Sequence, residues 1–301
     1  METIESLRGR IGTAESLQSV VSTMKTLAAV SIQQLEGVVR SIDEYNRAVE
    51  LGLQAALRNR PEGVRIVDRG LHDAVGVVVF GSDQGMCGQF NADIAAHAID
   101  EIEQLSVEGG ERAILAVGAR AVARLESAGL TIDDYLATPT APGTIDPVVE
   151  QLAMRIGRWR AERGFDRVSL FFNQRVSAGA YRPTTHRLLP IDRAWLERIE
   201  GRRWPTKVLP QTGMRWRPLF SALIQQHILV TLYRSLVHSM MSEQTARMQS
   251  MQAAEQNVEE RLGELLNSFR QTRQTAITSE LLDIVSGFEA IGDADDTAIR
   301  Q

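Results

Sequence analysis

Residues 77–91 read VVVFGSDQGMCGQFN. A β-branched run (VGVVVF, 75–80) ends in a loop that holds Gly81, Gly85, Cys87 and Gly88, and a helix pattern starts at Asn91. Strand, glycine-rich loop and helix in that order are how many α/β proteins hold phosphates. The loop is therefore either a nucleotide cradle or a tight turn. A dinucleotide fingerprint needs Gly-x-Gly-x-x-Gly, because the second glycine lets a pyrophosphate approach the backbone. Here the glycines fall at 81, 85 and 88, so the close pair is missing. A Walker loop needs Gly-Lys-Ser/Thr, and no lysine is near. Glycines that relieve a tight turn are the better reading.

Working outward, strand and helix patterns alternate. RAILAVG (112–118) reads as strand, ARAVARLESAG (119–129) as helix, 146–163 as a further helix and DRVSLFF (166–172) as strand. RPTTHRLLPI (182–191), bracketed by Pro183 and Pro190, suits an edge strand. The alternation predicts an open, mainly parallel sheet with helices on its faces. Residues 192–217, rich in Arg, Trp and Pro, read as an irregular connection.

All nine prolines lie between Pro61 and Pro218, which leaves 60 proline-free residues at one end and 83 at the other. Interior proline costs a helix about 3 kcal/mol, so both ends permit long helices. Periodicity supplies the positive signal. Ile4, Leu7, Ile11, Ala14, Leu17, Val21, Met24, Ala28, Ile32, Leu35, Val39, Ile42, Tyr45 and Val49 follow at steps of three or four. The C-terminal stretch from Leu219 through Met240, Met251, Leu265 and Leu281 to Phe288 keeps a similar rhythm, interrupted by Gln226, Gln244 and Glu255. Such helices would be roughly 85 and 105 Å long. Stripes of that length are buried most simply against each other, as a long antiparallel two-helix coiled coil formed by the N- and C-termini. The expected organisation is a shaft helix over 1–60, an α/β domain over 61–210, a second shaft helix over 211–290 and an acidic, flexible tail over 291–301.

Other signals are few. The net charge of −5 gives no reason to expect nucleic acid. Only Lys25 and Lys207 are lysines, so arginine supplies nearly all the positive charge. A single cysteine fits a reducing compartment, and the N-terminus METIESLRGR lacks the apolar segment of a signal peptide. No apolar run approaches the roughly 20 residues of a membrane span. Cys87 as a nucleophile would need a base, yet His72, His97, His186, His227 and His238 are scattered, with no triad or metal spacing. The adjacent Asp133 and Asp134 read as solvated loop acids with no role. No catalytic, cofactor-binding or metal-ligating residues are expected.

SEQTARMQSMQAAEQN (242–257) and RQTRQTAITSELLDIVSG (270–287) closely resemble the C-terminal helix of the gamma subunit of F-type ATP synthases. Arg247, Met248, Met251, Ala253, Ala254, Asn257, Arg273, Gln274, Ile277, Thr278, Glu280, Leu281, Ile284, Val285 and Gly287 match that helix. LRGRIGTAESLQSVVSTMKTLAA (7–29) is similar to the family's N-terminal helix, and SDQGMCGQFN (82–91) to its Thr-Asp-Arg-Gly-Leu-Cys-Gly-Gly-Phe-Asn motif. The resemblance implies a central rotor shaft with a Rossmann-like domain at its foot and no cofactor. It places the protein on the inner face of the cell membrane, in the F1 sector. Alpha and beta hexamer subunits, the epsilon subunit and the membrane c-ring are the implied partners. By resemblance, Met24, Lys25, Arg273, Gln274, Thr278 and Glu280 meet the hexamer, while Asp83, Gly85, Cys87, Gly88, Asn91, Arg247, Met248 and Met251 are structural.

Departures from the family pattern are Gln84 in place of arginine, few lysines around Met24, and the basic, aromatic TGMRWRPLF (212–220) where an acidic segment is usual. They suit a divergent paralogue, of sodium or alternative type. A different class of function remains open on the residues alone: a nucleotide-dependent enzyme on the central domain, with helical oligomerisation arms. A coiled-coil adaptor without rotary function is a third reading.

Overall fold

A computed structural model describes residues 3–64, 74–105, 111–177, 179–208, 210 and 213–298, with side chains through Val285. His72 and the side chain of Phe288 therefore lie outside what is described, as does the burial of Gly287. The chain divides into two compact units, residues 1–25 with 251–301, and residues 26–250. The two proline-free ends are helices, α1 (Ile4–Arg58) and α6 (Trp216–Ala298), and each contributes to both units. The Thr3 hydroxyl caps α1 by accepting from the Ser6 amide.

The unit of residues 26–250 is built on a five-stranded sheet of order β3-β2-β1-β4-β5. Its strands are β1 (Val75–Phe80), β2 (Arg112–Val117), β3 (Asp134–Leu136), β4 (Arg167–Ser177) and β5 (Ala180–Leu189). β1 to β4 are parallel, and β5 returns antiparallel along β4. Crossovers are made by α2 (Phe90–Leu105), α3 (Ala119–Ser127) and α4 (Ile145–Arg163). The chain steps outward from β1 through β2 to β3, then crosses back by α4 to place β4 on the other side of β1.

The alternation of β1 explains how both faces are covered. Val75, Val77 and Val79 pack with Ile94, Ala98 and Ile102 of α2 and Leu125 of α3. Val78 and Phe80 point the other way, into a core with Leu152 and Ile156 of α4, Leu232, Leu236 and Met240 of α6, and Leu35 of α1. Every residue of β1 is buried. Each large apolar side chain placed there contributes about 1.5–3 kcal/mol by leaving water.

Two elements depart from the sequence reading. β3 occupies part of the polar loop; it is only three residues long and joins the sheet through backbone pairing to β2. Asp133 and Asp134 beside it are not idle. The Ile114 amide donates 2.8 Å to Asp133, and Arg163 pairs with Asp133 at 3.4 Å, while Arg155 pairs with Asp134. The connection after β5 contains a helix, α5 (Arg193–Gly201), capped by Asp192, whose carboxylate accepts from the Ala194 amide at 2.9 Å. Leu196 and Ile199 of α5 close a cluster with Val49, Leu53 and Leu57 of α1 and Val230 of α6. Gly52 marks a close approach there, because a Cβ would lie 2.9 Å from Leu223.

Along the helices, α1 and α6 meet with partners in reverse order. Within residues 1–25 and 251–301, Arg8 lies over the Phe269 ring, Gln18 donates to Glu259 and Lys25 pairs with Glu255. Within residues 26–250, Asp43 pairs with Arg234 at 3.0 Å and Tyr45 donates to Gln226 at 2.9 Å. The apolar stripe reads well at Leu7, Ala14, Ala28, Ile32, Leu35 and Val49, all buried. Leu17 and Tyr45 lie on the stripe yet are about half exposed, since they sit at its edge.

Candidate functional site

In an open α/β sheet, ligands bind outside the carboxyl ends of the strands where the connections reverse, here between β1 and β4. The loop of residues 81–91 lies there, and it is closed by hydrogen bonds of its own. Asn91 accepts from the Ser82 amide at 3.0 Å and donates to the Ser82 hydroxyl at 2.8 Å and to the Cys87 sulfur at 3.4 Å. Gly81 has no room for a side chain: a Cβ would lie 2.4 Å from Ala121 Cβ and 2.8 Å from Asn91 Oδ1. Gly88 adopts φ 56°, in the left-handed region that glycine tolerates.

The crevice itself is filled by α6. Ser239 donates to the carbonyl of Phe80, the last residue of β1, at 3.3 Å. Ser242 donates to the carbonyl of Asn173, just beyond the β1–β4 pairing, at 2.8 Å. Asn173 in turn donates 2.9 Å to the Phe90 carbonyl. The strand-end carbonyls of Phe80 and Asn173 are thus bonded by the chain's own helix, which occupies the space a ligand would take.

Asp83 fixes the outer side of the loop. Its carboxylate accepts from the Ala119 amide, the Tyr135 hydroxyl, and both the amide and hydroxyl of Thr138, all within 2.7–2.8 Å. Burial works to raise its pKa, but these four donors outweigh that and hold it below the ordinary value. Arg247 ties α6 to the same loop: it bonds Glu243 at 2.6 Å and reaches the Gly85 carbonyl at 3.4 Å. Glu243 and Arg247 are both buried, and burial raises the Glu243 pKa while Arg247 opposes it. Asp83, Gln84, Thr138, Met240, Glu243 and Arg247 border a cavity of about 120 Å³.

Cys87 is buried among Phe90, Ala246 and Tyr181. Burial pushes its thiol up, the Ser82 hydrogen bond and Arg247 offset this only in part, and Glu243 adds to it. A protonated, buried thiol is a packing group and a poor nucleophile. Among the described residues, no group of three or more His, Cys, Asp or Glu could hold a metal ion.

The sequence-expected partner residues sit in the other unit. Met24 is half-buried, and Lys25 is paired with Glu255. Arg273, Gln274, Thr278 and Glu280 are exposed along α6, with the Thr278 hydroxyl donating to the Gln274 carbonyl at 2.9 Å. Beside them Ile277, Leu281, Leu282, Ile284 and Val285 are 47–61 % exposed, an apolar set C-terminal to Phe269, over whose ring Arg8 lies. Met248 is half-buried and Met251 buried. The sequence reading missed Ser239, Ser242, Glu243 and Asn173. A signal was available in Ser235, Ser239, Ser242 and Thr245, small hydroxyls on one face of an apolar helix and all buried.

Fold and site together define a five-stranded α/β domain that lies in sequence between two long helices, with the crevice at its strand ends occupied by the second of them. The chain belongs to the ATP synthase family, whose model matches residues 3–291. It is 28% identical to the ATP synthase gamma chain of Cyanothece sp., over 97% of this chain and all of that one. It is also 28% identical to the gamma chain of Sinorhizobium medicae, with the same coverage. Among solved structures, a chain of the Euglena gracilis mitochondrial ATP synthase shares the fold with a TM-score of 0.62 at 17% identity, over 96% of this chain and 94% of that one. A chain of the Tetrahymena thermophila mitochondrial ATP synthase central stalk and c-ring gives 0.55 at 21% identity, over 78% and 99%.

Proposed function

We propose that the chain is the central-stalk rotor, or gamma, subunit of an F-type ATP synthase. It couples ion translocation through the membrane ring to ATP synthesis or hydrolysis in the alpha/beta hexamer by rotating. The carrying observation is the reverse-order pairing of α1 with α6, supported by the family match along almost the whole chain. In this reading the terminal helices form an antiparallel coiled coil, and the subunit carries no catalytic residue of its own. It is held peripherally at the inner face of the membrane; no helix among the described residues is long and apolar enough to cross one. Partners are the alpha and beta subunits, the epsilon subunit and the c-ring.

A shaft with different side chains around its circumference presents a different face to each catalytic subunit. Turning it stabilises one nucleotide affinity state over another, which is a coupling free energy between hexamer and ring. Met24, Lys25, Arg273, Gln274, Thr278 and Glu280 are the contact residues in this reading. Charged and amide groups there make directional bonds that can break and reform at each step, while Ile277, Leu281 and Leu282 supply an apolar bearing surface.

The test is assembly of the full chain with alpha and beta subunits. The Arg273→Ala/Gln274→Ala variant lowers coupled turnover or assembly, while its stability stays within about 0.5 kcal/mol of wild type because both positions are exposed. Unchanged assembly and turnover in that variant would remove these residues from the contact.

A further inference from the structure

A chain with 38 acidic residues leaves positions 201–242 without one, while Arg202, Arg203, Lys207, Arg215, Arg217 and Arg234 fall inside that interval. Four of the six lie between α5 and α6, and Arg217 is in the first turn of α6. The segment is fastened to the end of α1. Gln54 and Arg58 donate to the Arg202 carbonyl, Arg58 also donates to the Glu200 carbonyl at 3.1 Å, and Trp216 donates to the Ala56 carbonyl at 2.7 Å. Arg202 pairs with Glu50 at 2.5 Å, and nearby Arg60 pairs with Glu200 at 3.7 Å. Arg203, Lys207, Arg215 and Arg217 are exposed, and among the described residues no carboxylate lies within ion-pair distance of them. Four like charges held on one pinned segment repel one another, and an opposing charge relieves that repulsion.

We propose that this tip docks on an acidic protein surface through Arg203, Lys207, Arg215 and Arg217. An anionic membrane is the poorer fit. The indole N–H of Trp204 is committed to the Val208 carbonyl and that of Trp216 to Ala56, and Trp216 stacks on Phe220 at 4.8 Å. Interfacial anchoring uses free aromatic side chains, and among the described residues of this tip only Val208 and Met214 are large exposed apolar groups. The proposal rests on the rotary reading in one respect: there, the partner is the membrane ring or a stalk subunit beside it, and its contacting face is acidic.

Lys25 and Lys207 are the only lysines, so a carbodiimide, which joins an amine to a carboxylate, reports on the tip with little background. Native membranes carrying the full chain are treated with it and digested, and joined peptides are sequenced. The expected product links Lys207 to an Asp or Glu of another protein, and it disappears in Lys207→Arg, which keeps the charge. A link to a ring or stalk subunit supports both readings. A link to an acidic protein unrelated to a rotary complex supports the docking surface and counts against the rotary reading. Absence of any Lys207 link to protein overturns the proposal.

As a second measurement, the Arg203→Glu/Lys207→Glu/Arg215→Glu/Arg217→Glu variant is purified from the same membranes. Without carbodiimide, its yield of the co-purified partner falls about tenfold or more, whereas Arg203→Lys/Arg215→Lys/Arg217→Lys retains it. Full partner recovery with the reversed charges overturns the proposal. So does binding of the isolated full chain to phosphatidylglycerol-containing vesicles that charge reversal abolishes, which reassigns the tip to lipid.

Discussion

Ser242 and Asn173 meet across the mouth of the sheet, the serine hydroxyl donating 2.8 Å to the asparagine carbonyl. That bond, with its neighbour from Ser239 to Phe80, seats α6 where a doubly wound domain ordinarily receives its ligand. A nucleotide could enter only by displacing α6 from a core that includes Leu232, Leu236, Met240 and Met241.

The isolated chain is therefore expected to show no heat of ATP, ADP or NAD binding by calorimetry at millimolar ligand. A saturable signal at micromolar concentration would favour the enzyme reading of the central domain.

Gly81 gives a sharp test of loop packing. Gly81→Ala places a methyl 2.4 Å from Ala121 Cβ and against the Asn91 amide that holds Ser82. Overpacking of this kind costs about 1–3 kcal/mol, read as a lower urea midpoint at unchanged slope. Gly143→Ala, where no atom lies within 4 Å of the added carbon, is the matched control. Equal midpoints for the two variants would contradict the packing described for the loop.

Acid should weaken the unit of residues 26–250. His227, stacked on Trp195 at 4.2 Å, is held down to about 4, first by burial and then by His186 and Arg234, with Glu50 opposing. Burial also lowers His186 and His238, and Arg234 adds to both, with Asp43 opposing at His238. A histidine with a depressed folded pKa takes its proton more readily when unfolded. Stability is therefore full above the unfolded value of 6.5 and falls as pH drops from there toward 4. His227 alone accounts for roughly 2–3 kcal/mol of that loss. Urea titrations of wild type and His227→Phe from pH 7 to 4 check it: the variant keeps the stack and loses part of the acid slope. Parallel slopes would contradict the assignment.

Much of this architecture is legible in the sequence. β1 declares itself because Val75–Phe80 is apolar on both faces, and the terminal helices because proline is confined to 61–218 and apolar residues recur at helical spacing. β3 is illegible: three residues, Asp134, Tyr135 and Leu136, carry too little pattern, and their place comes from pairing with β2. α5 hides because its nine residues are rich in charge, although Asp192 is a cap signal in plain view. The closure of the crevice is hidden for a different reason. Ser239 and Ser242 bond backbone carbonyls 159 and 69 residues away; the hydroxyl face of α6 marks a polar contact, but no local pattern names its partners. At the far end of α6, exposed Leu281, Leu282 and Ile284 continue an apolar rhythm that inside one chain reads as core. Their meaning depends on a partner.

Rotation is the claim on which the rest depends. Met154 on α4 is 58 % exposed and the native Cys87 is buried, so Met154→Cys accepts a thiol-reactive probe selectively. With the alpha/beta hexamer fixed to a surface and this chain assembled in it, the probe is followed by single-molecule microscopy as ATP is added. The account predicts sustained turning in one direction, which stops when ATP is removed. Hydrolysis that continues at full rate while the probe stays still would contradict it.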